Sequence, residues 1–236
     1  MLEPDATARP SGAHGPPPTT FGPEALQILA TEHWSLLASR SLAYTEAMSR
    51  ASIFVAALSG AVVALALVAQ ADDFGSGFVA FALVLLPVVY FLGFVTIVRL
   101  GQVNFENALW VQGMNRIRHA YLQAAPELER YFVASRYDDE AGVLLSALAM
   151  RGPLPRLQTF VSIPGVVAVI DSVVAGVAAG IAAYALDLGV AGSVALGVVF
   201  FLLSAAFFAT WARRVALPRG RALEPLFPTP PAPGAR

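Results

Sequence analysis

Residues 78–124 read FVAFALVLLPVVYFLGFVTIVRLGQVNFENALWVQGMNRIRHAYLQA, and no proline follows Pro87 within them. Positions 78–100 are apolar on every side, and about 20 such residues at roughly 1.5 Å each cover the hydrocarbon core of a bilayer. The second half is polar but keeps Val103, Trp110, Met114, Ile117 and Tyr121 at helical spacing. That pattern predicts one helix running on from lipid into water. Residues 24–70 carry the same halves in reverse order. A polar arm with Leu26, Leu29, His33, Leu37, Tyr44 and Met48 on one face precedes the apolar run 51–70. Arms of equal length about the acidic turn 71–77 predict a long antiparallel hairpin over 24–124. Its apolar halves are TM1 (51–70) and TM2 (78–100), and its polar halves form a cytosolic stalk.

Composition points the same way. Of the 236 residues, 57% are hydrophobic and 13% charged, against roughly 45–50% and about 25% in a soluble domain. A formal net charge of −1 argues against nucleic acid, whose phosphates need a clustered basic excess. The 15 basic residues are all arginine, a bias expected of a GC-rich bacterial genome. With no cysteine there is no disulfide, thiolate metal site or cysteine nucleophile.

Outside the hairpin, residues 1–23 and 212–236 are rich in proline, and the latter also in arginine; both read as disordered tails. Residues 125–159 read as a cytosolic loop with short helices. Residues 160–211 form a second membrane hairpin, TM3 (160–186) and TM4 (190–211), turning at Asp187-Leu188-Gly189. The expected fold class is an all-α polytopic membrane protein with four transmembrane helices, the first two extended into the stalk. All 15 arginines fall outside the turns 71–77 and 187–189, so the positive-inside rule places both termini and the 101–159 region in the cytoplasm of a bacterial inner membrane.

Several residues stand out chemically. Asp171, beside Ser172, falls about seven to ten residues inside TM3, roughly 10–15 Å deep. A carboxylate there costs about 2.5–3.5 kcal/mol on insertion scales. It reads as an ion, proton or pore-lining acid, or as a hydrogen-bonded structural acid. Gly176-x-x-x-Gly180 on TM3 and Gly60-x-x-x-Ala64 on TM1 are smooth faces for helix packing, within the chain or between copies. In a hairpin closed at 71–77, His33 and His119 fall about one turn apart, with Glu32 and Asn115 close by. Such a stalk cluster suits packed imidazoles better than a metal, which needs three or four ligands. The same register pairs Arg40 with Glu106 and Trp34 with Trp110. Pro87 marks a kink or hinge, and Asp138, Asp139 and Glu140 read as a solvated acidic face.

No glycine elbow around a serine, phosphate-cradling glycine loop or H-E-x-x-H helix occurs, so no enzyme activity and no cofactor are expected. The order helix, two spans, helix is carried by EHWSLLASRSLAYTEAMSRASIFVAALSGAVVALALVAQ (32–70) and VRLGQVNFENALWVQGMNRIRHAYLQAAPELERYF (98–132). It resembles the SLATT type of two-span bacterial membrane module. Over nearly its whole length the chain also resembles a group of actinobacterial four-span membrane proteins. The SLATT resemblance implies an oligomeric, pore-forming effector. Two functional expectations stand: a homo-oligomeric pore- or channel-like protein, or a membrane scaffold whose stalk recruits a soluble partner. The expected partners are the lipid bilayer, further copies of the chain and a cytosolic protein, and not nucleic acid.

Overall fold

The computed structural model describes residues 21–148, 162–215 and 224–231. The disorder expected of residues 1–20, 216–223 and 232–236, and the loop 149–161, lie outside the described residues. Among the described residues the regular structure is helical: α1 (Pro23–Asp72), α2 (Ser76–Ala124), a 3-10 turn (Pro126–Tyr131), α3 (Glu140–Leu148), α4 (Ile163–Ala185) and α5 (Gly189–Val215). Helices α1, α2, α4 and α5 are each long and apolar enough to cross a membrane.

Helices α1 and α2 hold 50 and 49 residues, about 75 Å each at 1.5 Å per residue. Proline at the first turn of α1 suits a helix start, where its missing N–H is no loss. The return is tight because Asp73 (φ 46°) and Phe74 (φ 58°) adopt the left-handed conformation. The Asp72 carboxylate then accepts the Phe78 N–H at 2.8 Å, satisfying a donor that the first turn of α2 leaves open. Glycine is required at 75, where a Cβ would lie 2.8 Å from the Asp72 carbonyl oxygen. Helix α2 continues unbroken past Pro87, whose ring is exposed on its outer side.

Helix α2 is the centre of the molecule: α1 packs along it, α4 packs on it, and α5 packs on α4. The core joins Phe54 and Ala61 of α1, Ala82, Leu86, Val89 and Ile97 of α2, Val167 and Val174 of α4, and Phe208 of α5. Helices α4 and α5 approach closely at Gly176 and Gly180, where a Cβ would lie 2.8 Å from the Gly197 carbonyl and 3.3 Å from that of Ser193. That glycine face therefore packs within the chain. The α1 face does not: Gly60 has no neighbour within 4 Å of its Cβ position, and Ala61 and Ala69 make the buried contact instead. One residue is about 100° of rotation, enough to turn Gly60 outward.

The polar arms of α1 and α2 pair in nearly the expected register but through different side chains. Arg40 Nε donates to Asn107 Oδ1 at 2.7 Å rather than pairing with Glu106. Glu106 instead meets Arg99 at 3.0 Å, and Arg99 also bridges to Glu46 at 2.8 Å. On α1 the buried positions are Ala43 and Ala47, while Leu37 and Met48 are exposed. Trp34 is 70% exposed and so does not form a stalk core with Trp110.

Residues 224–231 depart most from expectation. They lie docked against α2 and the 132–142 loop, because Asp138 and Asp139 capture their backbone N–H groups.

Candidate functional site

Two polar clusters stand out, one inside the apolar helices and one at their polar end. In the first, Asp171 and Ser172 of α4 are both fully buried. The Ser172 hydroxyl lies 2.7 Å from the Ala168 carbonyl and 3.2 Å from Ser204 Oγ of α5. Ser204 lies in turn 3.4 Å from the Tyr90 hydroxyl of α2. Neither carboxyl oxygen of Asp171 has a hydrogen-bond partner among the described residues. The carboxyl group sits against the α2 backbone at Gly93, where a Cβ would collide with it and would lie 2.8 Å from the Phe54 ring.

The second cluster grips residues 224–231. Within 225–230, Pro225, Pro228 and Pro230 have no N–H, which leaves three: those of Leu226, Phe227 and Thr229. All three go to two carboxylates. Leu226 donates to Asp138 Oδ2 at 2.9 Å, Phe227 to Asp138 Oδ1 at 2.7 Å, and Thr229 to Asp139 Oδ2 at 2.9 Å. The Thr229 hydroxyl adds a bond to Asp139 Oδ1 at 2.8 Å. Asp138 is fully buried, and Arg116 Nε of α2 compensates its charge at 2.6 Å. Burial alone would raise its pKa, but the Leu226 amide, Arg116 and the Phe227 amide hold the carboxyl below its ordinary value.

Helix α2 builds the floor of this site. Gln112 Nε2 donates to the Asp138 carbonyl at 2.8 Å, and Asn115 Nδ2 to the Tyr137 carbonyl at 2.7 Å. Asn115 Oδ1 accepts from Ser146 of α3 at 3.0 Å and from Arg118 at 2.7 Å. The His119 ring stacks on Phe227 with centroids 3.9 Å apart. Burial, and then Arg136, lower the His119 pKa.

The residues expected to form a His33–His119 stalk cluster each have contacts of their own. Asn115 and His119 belong to the tail site. His33 lies beside Tyr121, ring centroids 6.4 Å apart, and its pKa is lowered by burial and then by Arg118. Glu32 is exposed. Among the described residues no group of three or more His, Asp or Glu side chains is placed to hold a metal ion. Sequence reasoning missed Arg116, Gln112, Ser146 and the whole 226–229 segment as parts of a site. The available signal was three prolines spaced so that few N–H groups remain between them.

No family model, no curated protein and no solved structure matches the chain. The layout resemblance to the SLATT type therefore stands without a matching family model.

Proposed function

We propose that this is a multi-pass protein of the bacterial inner membrane whose cytoplasmic end recruits a soluble protein by clasping an extended, proline-containing segment. Membrane insertion is supported by the outer faces of the apolar helices. Val62, Val63, Leu67, Val84, Phe91, Leu202 and Leu203 are exposed, an apolar surface that a soluble monomer does not carry. The arginine distribution supports cytoplasmic termini and a cytoplasmic stalk. The observation that carries the recruiting role is the clasp itself, in which two carboxylates and a stacked imidazole read backbone N–H groups and an aromatic ring. Residues 224–231 act as its resident occupant, and a partner segment of like chemistry displaces them.

In cells, proximity labelling from the exposed position 133 in the loop should mark one dominant soluble neighbour, lost in Asp138→Asn and retained in Asp171→Asn. A labelling pattern indifferent to Asp138→Asn would discard the reading.

The unpartnered Asp171 favours a second reading, a homo-oligomeric pore- or channel-like protein. Helix association through the outward Gly60–Ala64 face would serve it. Because Asp171 lies inside the protomer, conduction would pass through each copy and not along a shared axis. Purified oligomer that leaves proteoliposomes tight to ions at several voltages and pH values would remove this reading.

A further inference from the structure

We infer that Asp171 is a proton-binding site that closes the two apolar hairpins on each other: it sits as a neutral acid between α4 and α2, and loss of its proton parts them. The inference does not depend on the recruiting role.

An ionised carboxylate taken out of water needs charge or hydrogen-bond compensation, and without it the group takes up a proton. Asp171 is fully buried with both oxygens unpartnered among the described residues. The groups placed against it are uncharged, the Gly93 backbone of α2 and the Phe54 ring of α1, and the hydroxyl of the adjacent Ser172 is directed to Ser204 of α5. Tyr90, three residues before Gly93 on α2, has its hydroxyl 3.4 Å from Ser204 Oγ. The Ser172 hydroxyl is occupied on the Ala168 carbonyl, and that of Thr96, three residues after Gly93 on α2, on the Leu92 carbonyl.

The ligand is a proton and not a metal cation. Hard cations require about six oxygen ligands at roughly 2.0–2.6 Å, and the surfaces opposing Asp171 are the Gly93 backbone and an aromatic ring. Release of the proton leaves a carboxylate that must be hydrated. With the α2 backbone lying directly against it, water enters only if α4 moves off α2. Proton loss and hairpin separation are therefore one event, and the closed arrangement weakens as pH rises.

The test uses the full chain in nanodiscs. Infrared difference spectra during alkaline titration should show a protonated carboxylic-acid carbonyl band near neutral pH, downshifted by 13C-aspartate and absent from Asp171→Asn. Spin labels at Val84→Cys on α2 and Val177→Cys on α4 should move apart as the acid band is lost, and should stay fixed in Asp171→Asn. A carboxylate band for Asp171 at neutral pH overturns the proposal. So does a label distance that does not change while the acid band titrates. Should Asp171→Asn fail to accumulate, Asp171→Ala takes its place, and the isotope-labelled natural chain decides the protonation state without any variant.

Discussion

Asp138 shows how one side chain organises the polar end. Its two oxygens accept two backbone N–H groups and one guanidinium, and hydrogen bonds to a charged group contribute about 1.5–3 kcal/mol each. Asp138→Asn removes the charge while keeping the shape, so docking of residues 224–231 should weaken by about 2–3 kcal/mol. Faster hydrogen exchange at the Leu226 and Phe227 amides would report it, with α1 and α2 protection unchanged. The pH dependence has a definite sign. Because the Asp138 carboxyl is held below its ordinary value, its contribution is complete above that value and disappears as pH falls through the folded one. At this scale the sequence was partly legible. Asp138 was visible as an acid at the start of a short helix, but its burial was not. Its partners lie 88 and 89 residues away, and nothing in a single sequence marks a pairing across that separation.

At the scale of elements, the hairpin was readable because the two apolar halves and the acidic turn are local features of the chain. The inner face of α1 was misread because hydrophobic size was taken as the guide. The α2 face carries the bulk here, with Leu100 and Val103 buried in the same cluster as Ala43 and Ala47 of α1, while Met48 turns outward. A small residue facing a large one leaves no trace in an apolar pattern. Arg99 then staples the register. Glu46 is held at about 2 by hydrogen bonds from Arg99 and then Arg50, so the staple persists through mild acid. Its contribution is full above the ordinary glutamate value of about 4.5 and is lost as pH falls towards about 2. Arg99→Gln should shrink that acid limb of the unfolding profile, leaving the part that Arg50 supplies. Between hairpins, the sensitive position is Gly93. Gly93→Ala places a methyl group against the Asp171 carboxyl and the Phe54 ring, and overpacking of this kind costs about 1–3 kcal/mol. Combining it with Asp171→Ala should restore part of the loss, since the two sites share one contact. Thermal unfolding of the four variants of that cycle measures the coupling, and strict additivity would show that the carboxyl does not touch α2.

For the whole molecule, composition alone indicated helices that need an apolar surround, and the structure has four of the required length and character. It also arranges them in order, α1 on α2, α2 on α4 and α4 on α5, with α5 reaching α2 at Phe94 and Gly101. That packing order was not legible, since it depends on backbone approach at Gly93, Gly176 and Gly197 and not on any periodicity. Lipid around these helices would make the polar end and the turns the regions in water. The proposed orientation rests on the distribution of arginine, because loops rich in arginine resist translocation. The chain has no cysteine, so single substitutions report topology without background. Ser76→Cys in the α1–α2 turn and Leu188→Cys in the α4–α5 turn should react with a membrane-impermeant maleimide added outside intact spheroplasts. Val133→Cys, at a position 88% exposed in the same loop as Asp138, and Ser39→Cys should react only after the membrane is opened. Reaction of Ser39→Cys from outside would place the long polar arms in the periplasm, and the recruiting role would then require a partner on that side. Equal reaction at all four positions in sealed spheroplasts would mean that these helices do not span the membrane.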